Sequence, residues 1–166
     1  VLRKGIKIGL TGSVNAGLQQ GRYGNQFGNL NLSNNNGTTS TYINLSYARS
    51  NDYDVLNTTR EIGADTVLNQ QARTTKPGNA YFAGFGINHD WNDKWNASYD
   101  SRLSYSNSDN KTRNTNIFSV QSNDQELGRS IADLTNENNS FLLNQDLATT
   151  YKIDTAGSEW TSSFSY

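Results

Sequence analysis

The sequence predicts an all-β chain: an antiparallel up-and-down meander that forms part of a transmembrane β-barrel. Three observations carry this. First, Trp95, Ala97, Tyr99, Ser101, Leu103 and Tyr105 alternate strictly with Lys94, Asn96, Ser98, Asp100, Arg102 and Ser104. One face is aromatic and apolar and the other polar and charged, which is the two-residue period of a strand. Second, only 33% of the 166 residues are hydrophobic, with a mean hydropathy of -0.78. A soluble domain carries nearly half apolar residues, so the fold must have a wet interior or none. Third, 11% of residues are aromatic and one is proline, which argues against disorder. A barrel with lipid outside and water inside satisfies all three.

Seven strands follow in order. The first spans Lys7 to Leu18, with Ile8, Leu10, Val14, Ala16 and Leu18 on its apolar face. The second covers about Asn25 to Ser33, with Gly28, Leu30 and Leu32 opposite Asn29 and Asn31. The third is Thr39 to Arg49, where Ile43, Leu45 and Tyr47 oppose Tyr42, Asn44 and Ser46. The fourth is Ala80 to Asp90, with Tyr81, Ala83, Phe85 and Ile87 opposite Gly84, Gly86 and Asn88. Lys94 to Ser106 is the fifth. The sixth is Ser140 to Lys152, carrying Phe141, Leu143, Leu147, Thr149 and Tyr151 on one face. The seventh begins near Ser158 and shows Trp160, Phe164 and Tyr166.

The connections sort by length. Asn34-Asn35-Asn36-Gly37, Asn92-Asp93 and Asp154-Thr155-Ala156-Gly157 are tight turns, rich in residues that tolerate left-handed backbone. Between them lie two polar segments, 50–78 and 107–139, expected as long loops with room for a hairpin, for example around Ile117, Phe118 and Val120. Short turns on one side and long loops on the other is how outer-membrane barrels are built. The short connection at Gln19 to Tyr23 departs from that pattern. Trp91 and Trp95 flank one tight turn and Tyr151 and Trp160 another. Tryptophan and tyrosine collect where hydrocarbon meets water, so these four are candidates for an interfacial girdle. The alternative is ordinary cross-strand aromatic packing.

Several function classes recede. Lys+Arg 14 against Asp+Glu 15 leaves no basic stripe, so nucleic acid is not an expected partner. There is no cysteine for disulfides or thiolate zinc. No apolar run is long enough for a transmembrane helix. With no methionine, even at position 1, a processed chain or a piece of a longer protein is expected.

His89, the single histidine, shares a face with Phe85 and Ile87 and has no partner at metal-binding or catalytic spacing, so it reads as an interfacial polar side chain. Asp52, Asp54, Glu61 and Asp65 in the first long segment, and Asp124, Glu126, Asp133 and Glu137 in the second, could in number hold calcium. They lack the spacing of a calcium loop, so solvated acidic loops are the expectation. Neither cofactor nor metal is expected. A glycosidase would need two carboxylates across a cleft; spacing neither places nor excludes them, and the reading is non-enzymatic.

Lys7, Asn44, Asn88, Asp100, Arg102, Asp146 and Lys152 fall on the wet faces and are candidates to line a lumen. Leu10, Val14, Leu45, Phe85, Tyr99, Leu103, Leu143 and Leu147 are expected on one continuous outward face.

The opening Val1-Leu2-Arg3-Lys4-Gly5 resembles the end of the plug domain in TonB-dependent outer-membrane transporters. Gly12-Ser13-Val14-Asn15-Ala16-Gly17 and Gly28-Asn29-Leu30-Asn31-Leu32 look like the first strands of the barrel, most similar to the outer-membrane β-barrel family of Bacteroidetes-type bacteria. The resemblance divides the chain into a plug end or linker (1–5) and a partial barrel (6–166). It implies a large plugged barrel of about twenty-two strands, of which this is roughly the first third. It further implies ligand uptake across the bacterial outer membrane. The expected partners are outer-membrane lipid, the remaining strands and plug, and a TonB system reached through the plug. A soluble or surface-exposed all-β binding module, folded as a sandwich, is the alternative.

Overall fold

The computed structural model describes residues 9–166; the expected plug end at 1–5 and the candidate Lys7 lie outside that range. Seven strands form a single sheet in sequence order: β1 (Gly9–Gln20), β2 (Gly24–Asn35), β3 (Thr39–Gly63), β4 (Thr66–Asn92), β5 (Trp95–Val120), β6 (Glu126–Lys152) and β7 (Glu159–Ser165). Every pairing is antiparallel between sequence neighbours, so the chain is the expected meander.

Asparagine and aspartate close the turns at one end. Asn36 Oδ1 accepts the amides of Thr38 and Thr39 at 3.1 and 2.7 Å, and Gly37 takes φ 97°. Asn92 Oδ1 accepts those of Lys94 and Trp95 at 2.9 and 3.0 Å. Asp154 Oδ1 accepts Ala156 and Ser158 at 2.9 and 3.0 Å, with Gly157 at φ 105°. Each side chain satisfies the amides that a reversing strand leaves free.

The opposite end corrects the expectation for 50–78 and 107–139. These are not loops. They continue β3–β6 as two long hairpins that turn at Ala64–Asp65 and at Gln121–Gln125. Ile117, Phe118 and Val120 stand on β5 just before the second turn. Both faces are polar there, so the two-residue contrast vanishes. The strands persist because threonine is common in them and the register runs unbroken from Asp109↔Glu137 to Phe118↔Gly128. β1 and β2 stop short at Gly21–Tyr23, giving the sheet a stepped edge. Asn51 holds that step: its amide donates to Asn25 Oδ1 and its Nδ2 to the Gly24 carbonyl, both at 2.6 Å.

The sheet is one layer thick. Among the described residues only Val67, Gly84, Gly86 and Ser119 are buried, while Leu10, Val14 and Leu147 are 72%, 75% and 51% exposed. No second layer covers the apolar face.

Candidate functional site

Register decides which side chains share a face, because directly opposed residues point the same way. One row runs Val14↔Leu30↔Leu45↔Ala83↔Leu103↔Leu143 across six strands. A second runs Ile87↔Tyr99↔Leu147↔Phe164. With Leu10 and Phe85 on the same alternation, all eight residues expected on the outward face lie on one face.

This band has sharp ends. At the short-turn end Trp95, Tyr151 and Trp160 form one row, and Trp91 stacks on Trp95 at 5.6 Å. The Trp95 indole N–H is satisfied by Thr149 Oγ1 at 2.8 Å. His89 packs edge-on against Trp91 at 4.7 Å and shares a hydrogen bond with Thr39 Oγ1 at 2.7 Å.

At the other end lies a row not identified from sequence: Tyr47↔Tyr81↔Tyr105↔Phe141. Its rings contact in series, Tyr47 to Tyr81 at 5.1 Å and Tyr81 to Tyr105 at 6.1 Å. The next row outward is Arg49↔Asn79↔Asn107↔Asn139. The Tyr47 hydroxyl donates to Asn79 Oδ1 at 3.1 Å, so its polar end points away from the band. Each of these four aromatics has its row partner Arg49, Asn79, Asn107 or Asn139 two residues away in sequence, the one local signal that marks the boundary.

On β5 the band runs from Trp95 to Tyr105, on β4 from Tyr81 to Trp91, and on β6 from Phe141 to Tyr151. Ten steps at about 3.4 Å give ~34 Å along the strand. At a tilt of about 35–45° that is roughly 24–28 Å of height, against an apolar band of about 25 Å in outer-membrane barrels.

The opposite face gathers the candidate lumen residues. Asn44, Asn88, Asp100, Arg102, Asp146 and Lys152 all fall on it. One row reads Tyr42↔Gly86↔Asp100↔Asp146. The Tyr42 ring lies flat over Gly86, where a Cβ would overlap it. Its hydroxyl thereby crosses a strand and donates to Asp100 Oδ2. Arg102 Nε forms an ion pair with Asp100 Oδ1 at 2.8 Å, which offsets the direct opposition of Asp100 and Asp146. Asn96 Nδ2 donates to Asn88 Oδ1 at 2.7 Å and Asp90 Oδ1 at 2.6 Å. Lys152 stands opposite Glu159. The face is not uniformly polar: Phe27 and Phe82 also lie on it, with Phe27 covering Gly17 and Phe82 covering Gly84.

The acidic residues of the long hairpins are dispersed. Asp52 and Asp54 stand on β3, opposite Lys76 and Thr74. Asp65, at the tip, accepts the Ser122 amide and hydroxyl, both at 2.9 Å, and ties the two hairpin tips together. Glu61 accepts Gln121 Nε2 at 3.5 Å. Asp124 occupies the second turn at φ 57°, Glu126 pairs with Arg129 at 2.9 Å, and Glu137 faces Asp109. Asp133 takes Nε and Nη2 of Arg113 at 2.7 and 2.9 Å, which holds its carboxyl below the usual carboxylate range. No family model, curated protein or solved structure matches this chain.

Proposed function

We propose that this chain is part of a barrel of the bacterial outer membrane, of the TonB-dependent receptor or transporter kind, which takes up a ligand across that membrane. The observation that carries the reading is the apolar band: eleven residues deep on β4, β5 and β6 and bounded by aromatic rows at both ends. A membrane-crossing strand needs about 9–11 residues, and interfacial aromatics mark both edges of such bands.

The rest follows from that orientation. The polar face, with Asn44, Asn88, Asp100, Arg102, Asp146 and Lys152, lines the ligand's path. β3–β6 continue some fifteen residues past the upper aromatic row, about 50 Å along the strand, and stand clear of the lipid as capture hairpins. Among the described residues β1 and β7 each have a neighbour on one side only. In lipid their free backbone groups would find no water, so further strands pair them. Within this proposal the outer-membrane lipid, those strands, a plug and a TonB system are the partners. The transporter kind rests on the strand resemblance at Gly12–Gly17 and Gly28–Leu32.

The test is a pair of neighbouring arginines. Leu103→Arg places a charge in the middle of the band at a cost of roughly 2–4 kcal/mol near the midplane, whereas Ser104→Arg faces water. Leu103→Arg should block assembly of the full protein in the membrane, read by heat-modifiable gel mobility, and Ser104→Arg should assemble. Equal assembly of both would sink the proposal and favour a water-soluble sheet.

A further inference from the structure

On the band side of the sheet, above the upper aromatic row, cations gather. Lys111 lies six residues beyond Tyr105, and Arg113 eight. Arg73 stands directly opposite Arg113 across β4 and β5. Like charges so placed repel. Asp133 occupies Arg113 alone. Among the described residues no carboxylate lies within ion-pair distance of Arg73, Lys111 or Arg22. Arg22 reaches over from the short β1–β2 turn and stacks on the Tyr53 ring at 4.2 Å, and Tyr23 packs edge-on against Tyr53 at 5.8 Å. These residues line one open depression of 450 Å³. Two guanidiniums facing each other, an ammonium beside them and the exposed Tyr23 next to the half-buried Tyr53 suit an anionic sugar: charges for phosphate or carboxylate, rings for the sugar face.

Height selects the source. At about 3.4 Å per residue and a tilt near 40°, Lys111 stands roughly 16 Å and Arg113 roughly 21 Å above Tyr105. A phospholipid headgroup layer is only about 5–8 Å deep. We propose that Arg22, Arg73, Lys111 and Arg113 form a docking site for the anionic core sugars of a glycolipid whose acyl chains lie on the apolar band beneath. This inference rests on the membrane reading above. It adds a specific lipid partner, held on the outside of the barrel and separate from the transport path.

The test uses the full protein in detergent micelles. The probes are a lipid A carrying two acidic core sugars, phosphatidylglycerol, and inorganic phosphate, each followed by native mass spectrometry and thermal stability. The core-bearing lipid should bind and raise the melting temperature. The double variant R73Q/K111Q should weaken that binding at least about tenfold, the loss expected for two charge-assisted contacts. R73K/K111R, which keeps both charges, should retain most of it. Phosphatidylglycerol should bind wild type and R73Q/K111Q alike. Unchanged binding of the core-bearing lipid by R73Q/K111Q would overturn the proposal. So would equal protection by inorganic phosphate, which would mark a simple anion site. Failure of the membrane reading shows separately, as equal assembly of Leu103→Arg and Ser104→Arg; failure of the lipid site leaves that contrast intact.

Discussion

Gly86→Ala should destabilise the sheet, although alanine is ordinarily the better strand residue. Replacing a mid-strand glycine by alanine normally gains about 0.5–1 kcal/mol from the entropy of the unfolded chain. At Gly86 the added Cβ would overlap the Tyr42 ring, which must swing away. That breaks the hydroxyl's bond to Asp100. A hydrogen bond to a charged group is worth about 1.5–3 kcal/mol, and its half-exposed position argues for the lower part of that range. The net expectation is a loss of roughly 1 kcal/mol. In a Tyr42→Ala background the obstruction is gone, and Gly86→Ala should become stabilising by about 0.5–1 kcal/mol. The coupling between the two sites is thus about 1.5–2 kcal/mol. Urea unfolding from lipid vesicles, followed by tryptophan fluorescence, measures all four corners of the cycle. Additive effects, or a Gly86→Ala that stabilises while Tyr42 is present, would refute the cross-strand clamp.

Two further outcomes are expected. The Asp154 carboxyl is held below its usual range by the hydroxyl and amide of Ser158, with smaller help from Ala156 and Gly157. A depressed carboxylate stabilises above its unfolded pKa, near 3.9, and that contribution fades as pH falls through the lower folded value. The protection factors of the Ala156 and Ser158 amides, which divide out the intrinsic slowing of exchange in acid, should therefore fall on acidification, and Asp154→Ala should show low protection at every pH; wild-type protection that does not change with pH contradicts the turn assignment. Tyr81→Ala removes two ring contacts from the upper aromatic row, each worth about 0.5–1.5 kcal/mol. It should lower unfolding stability in vesicles by roughly 1–3 kcal/mol, whereas an exposed residue outside the row, such as Asn69, should tolerate alanine within about 0.5 kcal/mol.

The strand faces were legible because lipid or core on one side and water on the other impose a two-residue contrast, as from Trp95 to Tyr105. The tight turns were legible because Asn36, Asn92 and Asp154 perform a local backbone task. The hairpin extensions were not. Their two faces meet the same solvent, so Asn57, Thr58, Thr59 and Arg60 carry no pattern that separates strand from loop. The upper aromatic row was hidden for another reason. Tyr47, Tyr81, Tyr105 and Phe141 lie 24 to 36 residues apart, and only the register brings them into line. The Tyr42–Asp100 contact spans 58 residues and depends on a glycine between its partners, which no spacing rule reveals. The aromatic row of Trp91, Trp95, Tyr151 and Trp160 was legible because its members flank two tight turns in pairs.

The central claim is that lipid covers one face of this sheet and water the other. The chain contains no cysteine, so single cysteines can be placed at each position from Trp95 to Tyr105 without background from these residues. Labelling in intact outer membranes with a water-soluble, membrane-impermeant maleimide then reads the environment of each. A two-residue alternation is expected, with Asn96, Ser98, Asp100, Arg102 and Ser104 positions labelled and Ala97, Tyr99, Ser101 and Leu103 positions protected until detergent is added. Uniform labelling along β5 in the membrane would contradict it.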